Sequence, residues 1–231
     1  MSKKSKLSLE LTKVCKSYKD GEKSVDVLHD ISISMKEGDF FSIQGPSGSG
    51  KSTLLSVMGA LLKADKGDIS VNGKNIDDYF NSGNIHEYRQ KHIGIIFQNH
   101  YLLTDFTILE NVMMPLLIQK QAFNQARKEA IQVLTKVGLK SRMDHFPSQV
   151  SGGESQRAAV ARAVIHKPAL ILADEPTGNL DQKNSDNFIK LISGLQKDEN
   201  LSILVVTHDV DLAKAADRRY NLNDGILKLS E

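Results

Sequence analysis

The chain has 231 residues, 40% hydrophobic and 25% charged, with 30 Lys and Arg against 28 Asp and Glu for a formal net charge of +2. That length can bury a substantial core, the composition excludes disordered and collagen-like classes, and the balanced charge gives no whole-chain argument for nucleic-acid binding. Cys15 is the single cysteine, so no internal disulfide can form and a reducing cytosol is the natural compartment.

The opening MSKKSK is basic and reads as a short solvated tail, with an anionic-lipid contact as the alternative. No signal peptide follows, because residues 7–15 alternate apolar with charged positions, which also makes Cys15 a small core residue of a strand. LSLELTKV (7–14), VDVLHDISISM (25–35) and DFFSIQ (39–44) predict strands, separated at Gly21 and at Glu37-Gly38. STLLSVMGALL (52–62) predicts a helix stopping near Gly67, and GDISVNGK (67–74) a strand closed by the tight turn Asn72-Gly73. IGIIFQ (93–98) reads as a buried strand ending at Gln98.

From Asn99 to about His166 the pattern is helical: TILENVMMPLLIQ (107–119), residues 124–137, and a helix opening at Ser151. The most apolar run, residues 112–118 with Pro115 inside it, is far shorter than the roughly 20 residues that span a bilayer. The expectation is a soluble chain that serves a membrane only through a partner. ALILAD (169–174) and LSILVVTH (201–208) read as strands flanking a helix, and RYNLNDGILKLS (219–230) as a hairpin turning at 223–225. Strands alternating with helices imply a parallel sheet covered on both faces, with the helical block 99–166 inserted into one domain spanning 1–231.

GPSGSGKST fits G-x-x-x-x-G-K-[ST] between a strand and a helix, the context that identifies a phosphate-binding loop. Backbone amides of Gly45, Pro46, Ser47, Gly48, Ser49, Gly50, Lys51, Ser52 and Thr53 (proline, lacking one, excepted) would wrap the phosphates of a nucleotide. Lys51 would bring its charge to the β- and γ-phosphates and Ser52 its hydroxyl to Mg²⁺. Asp174, at the end of LILAD, is expected to hold Mg²⁺ through water, and Glu175 to orient and deprotonate the attacking water. Gln98 could reach metal or water with its amide oxygen, and His208 could hydrogen-bond the γ-phosphate. A lone Gln or His at a strand end is usually structural; four strands ending in polar groups suited to one ligand argue otherwise.

VSGGESQR (150–157) is the remaining motif. Ser151, Gly152 and Gly153 open a helix with a capping box to Glu154, a backbone nest for an anion, yet no lysine accompanies it. The order phosphate loop, Gln98, VSGGESQR, LILADEPTGNLD, VVTHD resembles that of the ATP-binding cassette ATPases over almost the whole chain. Val150 and Ser155 depart from the usual leucine and from the frequent arginine or glutamine, and neither change removes a phosphate-contacting group.

The resemblance implies an α/β P-loop NTPase with a RecA-like parallel-sheet core, an N-terminal antiparallel β-subdomain and an inserted α-helical subdomain. It implies a head-to-tail homodimer in which Ser151, Gly152 and Gly153 touch the γ-phosphate bound to the other subunit. Tyr18 would stack on adenine, and Asp181 in GNLD would touch the opposite subunit. Within the family, QNHYLLTDFTILENVMMPLLI (98–118), ADEPTGNLD (173–181) and VVTHDVDLAKAADR (205–218) are most similar to the ATPases of lipoprotein-releasing complexes. Macrolide and peptide exporters and the cell-division cassette share GNLD and the short C-terminus. Residues 98–118 are where such ATPases receive a cytoplasmic helix of an integral membrane permease. Tyr101, Leu102, Leu103, Phe106, Met113 and Met114 would line that groove, although a buried helical core accounts for the same residues. The implied location is peripheral, on the cytoplasmic face of the inner membrane. A small GTPase would need N-K-x-D, which is absent; a DNA-repair or translation cassette would need a long insertion or a second cassette; and a scaffold would be expected to lose Lys51, Asp174 or Glu175.

Overall fold

A computed structural model describes residues 6–21 and 23–230, so most of the basic MSKKSK tail lies outside the described residues. Two strands of 14 residues, β1 (Leu7–Asp20) and β2 (Lys23–Lys36), pair antiparallel through several register shifts. β3 (Phe40–Gln44) then enters the interior and is followed by α1 (Lys51–Met58). α1 ends well before Gly67: the Gly59 amide bonds the Leu55 carbonyl and Ala60 turns left-handed at φ 56°. Gly67 serves a different contact. At φ 87°, a Cβ there would lie 2.3 Å from the Lys13 carbonyl oxygen, so it lets β4 (Lys66–Val71) cross β1 closely. Cys15, on the same stretch of β1, is half-buried with its Sγ 3.3 Å from Asp30 Oδ1, and is no core residue.

After β5 (Lys74–Asn75) come two short helices absent from the sequence expectations, α2 (Ile76–Asn81) and α3 (Ile85–His92). Tyr88 of α3 is fully buried and donates to the Met58 carbonyl, so these helices close over the end of α1. β6 (Ile93–Ile96) leads to α4 (Ile108–Ile118), α5 (Phe123–Lys136) and α6 (Gly152–Val164). The chain finishes with β7 (Leu170–Asp174), α7 (Gln182–Glu199), β8 (Ile203–Val206), α8 (Val210–Lys214), β9 (Arg218–Asn223) and β10 (Ile226–Leu229).

The strands form two sheets. One is four-stranded and antiparallel, ordered β2-β1-β4-β5. The other is six-stranded, ordered β10-β9-β3-β8-β7-β6, parallel throughout except at the β9–β10 edge hairpin. Leu170 and Leu172 of β7 and Leu204 and Val206 of β8 pack toward α1 and the antiparallel sheet. Their alternates Ile171, Ala173, Ile203 and Val205 pack toward Phe188 and Ile192 of α7. Burial on both faces is why these strands read as unbroken apolar runs. A third cluster joins α4, α5 and α6 through Val112, Leu116, Leu134 and Ala158. No helix among the described residues is long and apolar enough to cross a membrane.

Candidate active site

The sheet register brings the site together. Ile43 of β3 stands opposite Val206 of β8, Val206 opposite Asp174 of β7, and Ala173 opposite Ile96 of β6. The carboxyl ends of four strands therefore open on one edge, the usual ligand position of an α/β sheet. Between β3 and α1 the loop is shaped by backbone constraints. Gly48 and Gly50 take φ of 80° and 101°, and a Cβ on Gly45 would lie 2.1 Å from the Leu222 carbonyl oxygen. No acidic residue lies in the first turn of α1, so nothing opposes its attraction for an anion. Pro46, Ser47 and Gly48 are exposed at the loop tip, while the Ser49 hydroxyl is buried without a hydrogen-bond partner among the described residues. Lys51 Nζ donates to the carbonyls of Gly45 and Pro46 at 2.8 and 2.9 Å, arching over the loop. Tyr18 is 40% exposed, its hydroxyl 3.4 Å from Thr53 Oγ1 at the start of α1.

Burial pushes the Asp174 carboxyl above its ordinary range, and neighbouring Glu175 adds to the effect; a hydrogen bond from Ser52 and the charge of Lys51 oppose it. Glu175 adopts a left-handed φ of 43°, held by its amide's bond to the Val206 carbonyl at 2.9 Å. That costly backbone turns its side chain toward β8, where Oε2 lies 2.9 Å from His208 Nδ1 and accepts the His208 amide at 3.0 Å. His208 itself is exposed and sits two residues past the end of β8, as Gln98 does past β6, so neither ends its strand as expected. The Gln98 side chain bonds Asn179.

The VSGGESQR turn is a complete capping box: Ser151 Oγ accepts from the Glu154 amide and Glu154 accepts from the Ser151 amide. The Ser151 amide, then Arg142 at 2.8 Å, pull the Glu154 carboxyl down to about 2. The two glycines differ. A Cβ on Gly152 would meet nothing within 4 Å, whereas one on Gly153 would lie 2.5 Å from Asn184 Oδ1. Asn184 is bonded to Asp181, which caps α7 within its own chain.

Three connections were not read from the sequence. Gln156, 1% exposed, donates from Nε2 to the Pro176 carbonyl at 2.7 Å. Thr177 donates to Asp209 at 2.9 Å. Arg162, near the other end of α6, donates to the carbonyls of His100 and Tyr101 at 2.7 and 2.6 Å. Gln156 and Thr177 stand inside quoted motifs and Arg162 does not, and in all three cases the partners lie 20 to 62 positions away along the chain.

Of the six residues expected to line a groove, Tyr101, Leu103 and Phe106 are exposed and Leu102 and Met114 half-buried. Met113 is 1% exposed and belongs to the helical core. The loop carrying the exposed three is pinned by buried Asn111, which accepts from the Leu103 amide and donates to the carbonyls of Leu103, Phe106 and Thr107.

The donor set fits a nucleotide with its cation. The loop offers amides, a buried unpaired hydroxyl and one ammonium. Ser52 and Asp174 together supply one hydroxyl and one carboxylate, suited to a hard ion shared with phosphate oxygens.

Fold and site together define a P-loop nucleotide hydrolase built on a parallel sheet. The sequence model of the ABC transporter family matches residues 28–178, well over half of the chain, and the chain belongs to that family. It is similar to the ATP-binding cassette MJ0796 in a dimeric post-hydrolysis state bound to ADP and Pi, at 36% identity over 96% of this chain and 98% of that one, with a TM-score of 0.85. A second dimeric structure of MJ0796, described as a bacterial ABC transporter cassette, matches equally. CbiO1 from Clostridium perfringens, part of the ABC transporter complex cbiONQ, matches at 27% identity over 97% of this chain and 88% of that one, with a TM-score of 0.87. The fold is that of an ABC ATPase, and the chain is an ATP-binding, ATP-hydrolysing subunit of an ABC transporter.

Proposed function

We propose that two copies of this chain close head to tail over two ATP molecules. On this reading residues 99–166 form a helical subdomain inserted into a single nucleotide-binding domain over 1–231. The observation that carries the proposal is Gly152: it opens a capped 13-residue helix, and beyond its chain neighbours and its own helix backbone, a side-chain carbon there would meet nothing among the described residues within 4 Å. Ser151, Gly152 and Gly153 then offer amides to a γ-phosphate already neutralised by the Lys51 of the opposite copy, so the turn needs no cation of its own. Asp181 lies beside this turn through Asn184 and takes part in the contact between copies.

In each site Lys51 and the loop from Gly45 to Thr53 hold the phosphates, and Tyr18 stacks on the base. Ser52, Asp174 and the Gln98 amide oxygen hold magnesium, whose contribution is to neutralise phosphate charge. Glu175 takes the proton of the attacking water, and His208, in contact with Glu175, hydrogen-bonds the γ-phosphate. Mixed dimers provide the test. A Lys51→Ala copy paired with a Gly152→Glu copy should regain roughly half of wild-type turnover, because one composite site has both wild-type halves. Sites contained within single chains would give no recovery.

We further propose that the chain is peripheral to the cytoplasmic face of the bacterial inner membrane and drives release of lipoproteins, as the LolD ATPase does. The motif resemblance and the pinned apolar loop of Tyr101, Leu103 and Phe106 support docking of a permease helix near 98–118. Co-purification with a lipoprotein-releasing permease is the expected result. Recovery with a macrolide or peptide exporter, or with the cell-division complex, would reassign the substrate while leaving the ATPase unchanged.

A further inference from the structure

We infer that Asn179 is a positioning residue for Gln98, fixing which end of its amide is free for the ligand. The inference rests on the reading of Gln98 as a group that reaches metal or water. Gln98 lies beyond the last residue of β6 and its side chain is exposed, so neither the sheet ladder nor packing orients it. What orients it is a two-way clasp. Gln98 Nε2 donates to Asn179 Oδ1 at 3.3 Å, and Asn179 Nδ2 donates back to the Gln98 carbonyl at 3.2 Å and to Asn99 Oδ1 at 3.1 Å. A glutamine amide has one donor end and one acceptor end. With the donor end on Asn179, Oε1 is the end that remains, and an oxygen is what a hard cation or a water proton requires.

Position 178 is shaped around the same group. A Cβ on Gly178 would lie 2.8 Å from Gln98 Nε2 and 3.2 Å from its Cδ, so the bare glycine leaves the amide its room. The clasp also has a direction along the chain. Asn179 is two residues from Asp181, Asp181 bonds Asn184, and Asn184 packs on Gly153. The amide beside the metal side of one site is thereby tied to the turn proposed to face the other copy.

The test uses the full chain with a non-hydrolysable ATP analogue, reading Mn²⁺ affinity by electron paramagnetic resonance, so that turnover does not enter. Asn179→Ala should weaken Mn²⁺ binding about three- to tenfold, the effect of one or two lost neutral hydrogen bonds. Gln98→Ala should weaken it at least as much, and the double variant no further than Gln98→Ala alone, because Asn179 acts only through Gln98. Gly178→Ala approaches the amide from another side and should weaken binding similarly, which keeps the test open if Asn179→Ala folds poorly. Wild-type Mn²⁺ affinity in Asn179→Ala with a weakened Gln98→Ala would overturn the inference, as would additive losses in the double variant. Wild-type affinity in Gln98→Ala would instead overturn the reading of Gln98 beneath it.

Discussion

One oxygen of Glu175 meets His208 twice, accepting its main-chain amide at 3.0 Å and lying 2.9 Å from Nδ1 of its ring. The contact spans two strand ends and holds a carboxylate whose side chain is only 16% exposed beside a ring that is 72% exposed. Glu175, the proposed base, is held so firmly that a neighbour has little freedom to replace it. Glu175→Gln keeps the shape and the amide contact while removing the proton acceptor. Turnover should fall about 10²- to 10⁴-fold, the usual contribution of general-base catalysis. ATP binding should persist, and the variant should accumulate as a closed dimer, measurable by light scattering in ATP. Turnover at the wild-type rate would remove Glu175 from this role.

Lys51 contributes a charge that now rests on two loop carbonyls. Lys51→Ala should lower nucleotide affinity about 10- to 100-fold, as expected for a hydrogen-bonded charge. Fluorescent-nucleotide titration measures this directly. The melting temperature without nucleotide should hardly move, because the side chain fills no core.

Asp174 makes the opposite trade. Burial and Glu175 disfavour its ionised form, with Ser52 and Lys51 compensating only in part. A carboxyl with a raised folded pKa gives its full stability below its unfolded value, and that stability is lost as pH rises through the folded value. Asp174→Asn should therefore melt higher than wild type at neutral pH, as thermal melts across a pH series would show. The gain should shrink toward about pH 4. The same variant should lose metal-dependent hydrolysis, a trade common at active sites.

Gly152 and Gly153 separate folding from partnership. Gly152→Ala meets nothing in its own chain and should fold at least as well as wild type. A loss of ATPase with folding intact is the outcome expected if Gly152 contacts the phosphate of the other copy as proposed. Gly153→Ala must displace the Asn184 amide, 2.5 Å away and tied to Asp181, so it should lower both stability and turnover. Thermal melts beside ATPase assays distinguish the two.

Glu154, held down to about 2 by the Ser151 amide and Arg142, has a depressed folded pKa. Its contribution is present above the ordinary value of 4.5 and is lost as pH falls toward 2. Glu154→Gln should cost about 1 kcal/mol at neutral pH, the scale of a capping contact, and flatten the acid limb of the stability curve. Denaturant melts at several acidic pH values measure it.

Much of this architecture could be read from residue order because buried strands announce themselves. LILAD and ILVV have no polar face up to their ends; the first closes on Asp174, and the second stops at Val206, two residues before His208. The sequence extends the helix after the phosphate loop too far because residues 60–62 continue its apolar pattern, while the left-handed turn at Ala60 has no sequence marker. α2 and α3 carry mixed polarity over short lengths and left no clear period. The sequence leaves Met113 open between groove and core because a core stripe and a docking stripe have the same composition, and only packing against the α5 and α6 cluster separates them. Asn179 and Gln156 stood inside quoted motifs, but nothing local shows that one answers Gln98 and the other Pro176.

The bond from Gln156 to Pro176 makes a rigid bracket of two parts with different allegiances. The helix opened by the glycine turn proposed to serve a neighbour is tied to the segment next to Glu175, the proposed proton acceptor of its own chain. If two copies close head to tail as proposed, a copy that loosens its hold across that interface should disturb its own chemistry, and hydrolysis in one copy should be felt in the other. Two such copies would keep time with each other without any separate messenger.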